Sequence, residues 1–409
     1  MHFIYNIAIL FYALVLKTAA NFNPKAKAWV EGRRNYFQKL PPLPAKKIIW
    51  FHCASLGEFD MALPVMNLIK ERHPEVFLLV SFFSPSGMQH YLKRKHCVDL
   101  AVYLPIDTPS NAKKFISHFK PEKVFFVKYE FWSNFIFEAK KQHVQVFSLC
   151  SLFRADHRFF KWYGAFFRKT LKQIDFFYSQ NETSTLLLST IGINNFIISG
   201  DTRFDRVIEN KQLLQKNERL EEFMQGEKAV IIGSSWPKDE AIILPFIKKN
   251  PKQKFIIAPH TIDENHLLDI ENQLEGKTHR YTQANNLSKQ VLILNTIGHL
   301  ASAYSYGKIA YVGGGFSGSL HNILEPAVFG LPVIFGPKFK RFPEATNFIQ
   351  KGIGFSVNTA EEFEKITKQI ELKLEELSEK TIQEVLKNTG ASLKIINHLE
   401  LNFEYKSLN

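Results

Sequence analysis

Two glutamates and one glycine-rich run carry the residue types best suited to chemistry. In "FHCASLGEFD", residues 51–60, Glu58 stands directly after Gly57, where an apolar run hands over to a helical pattern. A carboxylate at a helix start is favoured by the dipole and by free N–H groups, which lowers its pKa, while a desolvated site raises it again. Glu58 therefore reads either as a first-turn structural acid or as a general base. In "KYEFWSN", residues 128–134, Glu130 again lies just past an apolar run, "KVFFV". It reads as a solvated loop acid or as a substrate-positioning acid, and Trp132 reads as packing. The third stretch is "YVGGGFSGSLHNILEPAVFGLPVIFGP", residues 311–337. Gly313–Gly315 end a strand, and their missing Cβ atoms would let the backbone approach a ligand, with Gly314 and Gly315 nearest the loop. A helix opening at "HNILEPA" would offer its N–H groups to a phosphate. Glu325, one turn in, is positioned to accept hydrogen bonds from ribose hydroxyls.

The elements that must hold these residues follow from the apolar pattern. "KIIWFHCAS", "VFLLVSFF", "AVYLPID", "KVFFVKYE", "VQVFSLC" and "DFFYSQ" read as buried strands. Helical segments alternate with them, such as "EFDMALPVMNLIKERHP" with apolar residues at 59, 62, 63, 66 and 69. Continuous apolar strands alternating with helices predict a parallel sheet covered on both faces. Near residues 200–228 the pattern turns polar, then restarts with "AVIIGSS", "KFIIAPH", "VLILNT", "KIAYVGGG" and "LPVIFGP". The expected organisation is an N-terminal helix over 1–20, a Rossmann-like domain over 45–205, a connector over 206–228 and a second Rossmann-like domain over 229–395. Ligands of such sheets bind beyond the carboxyl ends of the strands, where the three stretches lie, and two such halves would face each other across a cleft.

Composition narrows the partners. Lys plus Arg is 52 and Asp plus Glu 39, a net charge of +13, which suits an anionic partner. Cys53, Cys97 and Cys150 form no CxxC pair and read as reduced thiols of a cytoplasmic protein. No histidine spacing signals a metal. From Phe3 to Leu16 only Asn6 is clearly polar, a run shorter than the roughly 20 residues that span a bilayer. Lys17, Lys25, Lys27, Arg33, Arg34, Lys39, Lys46 and Lys47 follow it, with Glu31 the only acid before Glu58. That asymmetry opposes a cleaved signal peptide and favours an anchor or interfacial helix on the cytoplasmic side, its basic flank against anionic lipid headgroups. A buried N-terminal helix is the plainer alternative.

The order and content of five segments resemble the family of 3-deoxy-D-manno-octulosonic acid (Kdo) transferases. "SLGEF" is similar to the family's S-x-G-E, "SPSG" at 84–87 to T-P-T-G, and "YEFWSN" to T-E-x-W-P-N. "GDTRFD" at 200–205 is similar to G-N-x-K-F-D, and "HNILEPAVFGLPVIFGP" to H-N-x-L-E-P-A-x-x-G-x-P-V-x-x-G-P. The resemblance spans nearly the whole chain. It implies an α/β fold of the two-domain GT-B kind and inverting, metal-independent transfer of Kdo from CMP-Kdo to a lipid A precursor, with no cofactor. It also implies a place at the cytoplasmic face of the inner membrane and no nucleic-acid partner. On this resemblance Glu58 matches the general base and Glu130 a second essential acid. Asn322, Ile323, Leu324 and Glu325 match the segment that binds the CMP part, with Pro259 and Gly298, His299 and Leu300 as further nucleotide contacts.

Three departures are visible. Lys128 and Tyr129 precede Glu130 where the family shows E-T, and "SGSL" replaces R-G-G before "HN". His260 stands where the family's A-P-R corner has arginine, so it offers one hydrogen bond in place of a bidentate pair. Other readings are a GT-B enzyme using a UDP-sugar, a basic nucleic-acid binder and an inactive membrane-bound relative. Against the second, no compact Lys/Arg–aromatic motif is present.

Overall fold

A computed structural model describes residues 1–283 and 288–402. The chain forms two compact units, Met1–Arg206 with Asn388–Asn409, and Val207–Lys387. The first holds a seven-stranded parallel sheet of β1 (Ile48–Cys53), β2 (Phe77–Phe82), β3 (Leu100–Tyr103), β4 (Lys123–Val127), β5 (Gln145–Ser151), β6 (Phe176–Ser179) and β7 (Phe196–Ile198). Their spatial order is β3-β2-β1-β4-β5-β6-β7. The chain thus lays β1, β2 and β3 outward on one side, then returns to place β4 against the free edge of β1. All six residues of β1 are buried because both faces of the sheet are covered. Ile49, Phe51 and Cys53 enter one core, and Ile48 and Trp50 the other, as the two-residue strand period demands. Phe51 stacks on Phe125 at 4.7 Å, and Trp50 meets Phe115 at 4.8 Å.

The second unit repeats the plan with β8 (Ala229–Ser235), β9 (Phe255–Pro259), β10 (Thr278–Arg280), β11 (Val291–Ile293), β12 (Gly307–Val312), β13 (Val333–Phe335) and β14 (Gly354–Ser356). Their order is β10-β11-β9-β8-β12-β13-β14, again all parallel. The polar segment expected to be a connector forms the helices Arg203–Gln212 and Glu218–Met224, and the latter buries Leu220, Phe223 and Met224 in the second unit. The expected end of the second domain at 395 also shifts. The helix Ala391–Asn402 packs Ile395, Ile396 and Leu399 into the first unit's core beside Met66 and Ile69. Asp205, from "GDTRFD", holds that helix: its carboxylate accepts from the Gly390 and Ser392 N–H groups (2.6 and 2.7 Å) and the Ser392 hydroxyl (2.6 Å). Thr202 of the same motif donates to the Met61 carbonyl at 2.6 Å.

The N-terminal helix, His2–Ala19, runs along the first unit. The Tyr5 hydroxyl donates to the buried Asp107 carboxylate (2.5 Å), the Asn134 amide donates to Asn6 (2.9 Å), and His2 meets the Asn134 side chain (2.8 Å). Farther along, Tyr12 stacks near Phe83 at 6.3 Å. Asp107 also accepts the N–H groups of Asn134 and Phe135, both at 3.1 Å, at the start of the helix Ser133–Lys141. Burial pushes its carboxyl up to about 6, against these donors, which favour the charged form. Phe3, Ile7, Leu10, Phe11 and Leu14 share the opposite, exposed face. The helix is therefore neither buried nor detached. Arg33 leaves the basic strip expected beside it: its guanidinium donates to the carbonyls of Leu104 (2.8 Å) and Phe83 (2.7 Å) and lies 3.9 Å over Trp29.

Asp107→Ala strands three donors in a buried site. It is expected to cost about 2–4 kcal/mol in chemical denaturation and to expose the first 23 residues to rapid proteolysis. An unchanged digestion pattern would show that Asp107 does not pin the helix.

Candidate active site

The point where strand order reverses in the first sheet lies between β1 and β4, and it opens a crevice at their carboxyl ends. Glu58 and Glu130 follow those two strands. Ser55 caps the helix Leu56–Arg72, and Glu58 is its third residue. Glu58 Oε2 accepts the Ser55 N–H at 3.0 Å and is hydrogen-bonded by the Ser55 hydroxyl. The first-turn structural role is thus real, and it fixes where the carboxylate sits.

Glu130 is reached through Lys128, whose φ of 66° places it in the left-handed region right after β4. A non-glycine residue holds that conformation at a cost of roughly 1 kcal/mol or more, a strain that recurs at functional corners. The Glu130 carboxyl is pushed up to about 7, first by burial and then by the charge of Glu58, with Arg158 and Lys128 pulling the other way. The two acids are therefore coupled. Near neutral pH Glu130 holds a proton about half the time beside a second carboxylate, an arrangement suited to accepting a proton and positioning a hydroxyl.

A buried relay holds the backbone next to Glu130. The Trp132 indole N–H donates to His52 Nε2 (3.0 Å), which leaves the proton on Nδ1 facing the Ser81 hydroxyl (2.9 Å). Trp50 donates to the same hydroxyl at 2.8 Å. Burial drives the His52 imidazole down to about 3, so it stays neutral. Trp132 also stacks on Phe83 at 4.8 Å. Its packing was legible; His52 and Ser81 were not, because a histidine inside an apolar strand gives no local signal.

In the second sheet the reversal lies between β8 and β12. Gly313–Gly315 sit there, and their missing Cβ atoms let the protein's own chain approach closely. A Cβ on Gly313 would lie 2.1 Å from the Ser234 carbonyl oxygen, one on Gly314 2.2 Å from that of Ser319, and one on Gly315 2.5 Å from the Gly336 nitrogen. Gly314 also needs its φ of 89°. Its N–H donates inward to Asp239 (3.2 Å), which also accepts the Trp236 N–H (2.9 Å) and the Tyr311 hydroxyl (2.6 Å). Asp239 organises the corner, a role the sequence did not reveal.

The helix expected to open at "HNILEPA" is a single turn, Leu324–Ala327, and its first N–H is taken by Asn322 Oδ1 at 3.1 Å. Ile323 and Leu324 are buried and brace the turn. Asn322 and Glu325 are half-buried and joined by a 3.3 Å hydrogen bond. Pro259 is the buried last residue of β9, and His260 beyond it is exposed. The His260 ring stacks on Trp236 at 4.1 Å and 21°, and lies 4.8 Å from His321, whose imidazole is driven down to about 4 by burial and by His260. Gly298, exposed with φ 102°, leads into His299, which packs on Tyr281 at 4.4 Å. Leu300 packs beside Gly233 at the end of β8. The structure gathers these residues around β8, β9 and β12 and adds Trp236, Asp239 and His321. Among the described residues no group of three His, Cys, Asp or Glu is placed to hold a metal ion.

Residues 29–206 match the family model described as 3-deoxy-D-manno-octulosonic-acid transferase (kdotransferase). A transferase of that name from Aquifex aeolicus is 27% identical over 360 residues, covering 86% of this chain and 94% of the relative. One from Rickettsia felis is 28% identical, covering 73% and 65%. The chain is thus similar to 3-deoxy-D-manno-octulosonic acid transferases over most of its length. These matches make it a glycosyltransferase. Its fold is shared with UDP-GlcNAc 2-epimerase from Neisseria meningitidis, with TM-score 0.65, 17% identity, and coverage of 87% of this chain and 100% of that one. A glycosyltransferase from Rickettsia africae gives TM-score 0.56 at 15% identity, covering 89% and 100%. The expected GT-B-like fold of two parallel-sheet Rossmann-like domains, with an N-terminal apolar helix, is therefore present.

In this fold the coupling of the two acids sets a pH signature. The Glu130 carboxyl is expected to titrate near 7 by carbon NMR. It should move lower in Glu58→Gln, which removes a like charge, and higher in Arg158→Ala, which removes an opposing one. Identical titration in all three proteins would separate the acids.

Proposed function

We propose that this glycosyltransferase transfers Kdo from CMP-Kdo to a lipid A precursor, with inversion and without a metal, in lipopolysaccharide biosynthesis. The observation that carries the reading is the coupled pair Glu58 and Glu130 at the β1/β4 reversal of a chain similar to Kdo transferases. In the forward step the acceptor hydroxyl oxygen attacks the anomeric carbon of Kdo. The proton passes to the Glu58 carboxylate as the new C–O bond forms, and the old anomeric C–O bond breaks with its electron pair leaving on CMP. Glu130 in its protonated form donates a hydrogen bond that positions a substrate oxygen. In the second unit, Asn322 and Glu325 face the nucleotide, Glu325 accepting from ribose hydroxyls. His260 and the turn before Leu300 serve the phosphate side, while Gly314, Gly315, Pro259, Ile323 and Leu324 shape the corner from within. Donor and acceptor are both anionic, which agrees with the charge of +13.

The acceptor is an amphiphile, so we place the enzyme at the cytoplasmic face of the inner membrane, with anionic lipid as a partner. The pinned N-terminal helix supports an interfacial position over a span: its polar face is occupied by the first unit and its apolar face is left exposed.

Incubation with CMP-Kdo and lipid A precursor, read by mass spectrometry, is expected to give a Kdo-bearing product. Glu58→Gln should cut turnover by about 10²–10⁴-fold with CMP affinity retained, the loss typical of removing a general base. Product formed only from UDP-sugars would overturn the donor assignment, and full activity in Glu58→Gln would remove that residue from the chemistry.

A further inference from the structure

The segment His157–Ile174 carries five Lys or Arg and no acid. It makes a tight turn at Lys161–Gly164, closed by the Gly164 N–H donating to the Lys161 carbonyl at 2.9 Å. The Arg168 guanidinium ties the turn from beneath, donating to the carbonyls of Phe159 (3.2 Å) and Lys161 (2.8 Å). Only glycine fits at 164, because a Cβ there would come within 2.1 Å of the Arg158 carbonyl oxygen. Phe159 roots the turn in the first unit's core. At the tip of this fixed scaffold Trp162 is 91% exposed and Tyr163 49% exposed, in edge contact with each other at 5.6 Å. A large indole held out by a rigid turn leaves apolar surface in water at a cost a partner would remove.

The neighbourhood identifies that partner. Two residues past the turn, Phe166 stacks on His2 (5.5 Å) and packs at a tilt against Tyr5 (5.1 Å) of the N-terminal helix. The turn therefore stands beside the end of the helix whose outer face is Phe3, Ile7, Leu10, Phe11 and Leu14. Arg158 and Lys161 flank the indole in sequence, and Lys169 and Lys172 follow on the next turn of chain. Trp and Tyr among cations match the headgroup layer of a bilayer, where an amphipathic ring sits at the boundary and Lys or Arg meets lipid phosphate.

We propose that the Trp162–Tyr163 turn is a second membrane contact, which inserts into the headgroup layer of an anionic bilayer beside the N-terminal helix and sets the tilt of the first unit on that surface. Two contacts fix an orientation where one helix alone would allow rotation about its axis. The same segment reaches the acid pair, since Arg158 lies close enough to Glu130 to oppose its raised pKa. The Tyr12–Phe83–Trp132 stack connects the helix to the residue two beyond Glu130. The surface thus holds the acids near the lipid boundary. That last consequence rests on the proposed lipid acceptor; the membrane contact does not.

The test uses the full chain and vesicles of phosphatidylcholine with or without phosphatidylglycerol, containing no sugar acceptor. Vesicles with brominated acyl chains should quench the tryptophan fluorescence of the wild-type protein, and Trp162→Phe should lose that quenching. Trp162→Ser combined with Tyr163→Ser should lower partition into anionic vesicles by about tenfold, the loss expected when two interfacial rings are removed. CMP affinity and thermal midpoint should match the wild type in both variants, which separates this result from misfolding and from failure of the transferase reading. Equal quenching in Trp162→Phe, or unchanged partition of the double variant, overturns the proposal. So would variants that bind vesicles normally but leave the membrane fraction of cells, because they would point to a protein partner.

Discussion

Two carboxylates placed at one buried corner repel each other, and the rest of the first unit is arranged around holding them there. β1 and β4 are neighbours only because the chain crosses back over the sheet, and that crossing brings Glu58 and Glu130 to the same mouth. Burial raises the Glu130 carboxyl, and the Glu58 charge raises it further. Arg158 and Lys128 oppose both, and the balance leaves Glu130 titrating near neutrality beside Glu58. The His52–Trp132 bond and the left-handed Lys128 resist the relaxation that would let the acids separate. Such strain persists only where surrounding packing over-determines it, here a strand buried on both faces.

How far this was legible depends on the range of the interactions. Strand and helix alternation is a local signal, so both parallel sheets were readable, and so was the position of Glu58 and Glu130 just past strand ends. Glu325 and its helix start were also read from the residues, and the family resemblance added Asn322–Leu324, Pro259, His260 and Gly298–Leu300. What escaped were long-range partners. Asp239 is the helix-start acid that "WPKDE" suggests, accepting the Trp236 N–H, yet it also receives the Tyr311 hydroxyl and the N–H of Gly314, 75 residues away. The triple glycine has a packing reason that the sequence did not show. Glycine was correctly required, but for backbone meeting backbone at Ser234, Ser319 and Gly336. Sequence shows where Cβ atoms are forbidden without showing what forbids them. The last helix escaped for a similar reason: its amphipathic pattern fits either unit, and Asp205 decides it.

The corner of the second unit shows a division of labour that the motif conceals. Ile323 and Leu324 are buried supports, Gly313–Gly315 permit close packing, and Asp239 absorbs the N–H of Gly314. The groups left with polar exposure are Asn322, Glu325 and the Trp236–His260–His321 stack. Where the family pattern has arginine, a planar imidazole rests on an indole. Replacing a guanidinium with an imidazole gives up bidentate hydrogen bonding but keeps a flat, hydrogen-bonding surface.

The N-terminal helix makes the link from packing to function at the scale of the whole first unit. Hydropathy alone treats residues 3–16 as one uniform run, but side-chain direction divides it into two faces. His2, Tyr5 and Asn6 face the domain, where Asp107 and Asn134 satisfy them, and Phe3, Ile7, Leu10 and Phe11 face away. Moving this helix into the hydrocarbon core would break those bonds and strip the Tyr5 hydroxyl and the Asn6 side chain of these partners in an apolar medium, several kcal/mol that a span of modest hydropathy has to overcome. The polar clamp therefore favours the boundary placement proposed above, in which the helix carries its attached domain, with both glutamates, to the level of the headgroups.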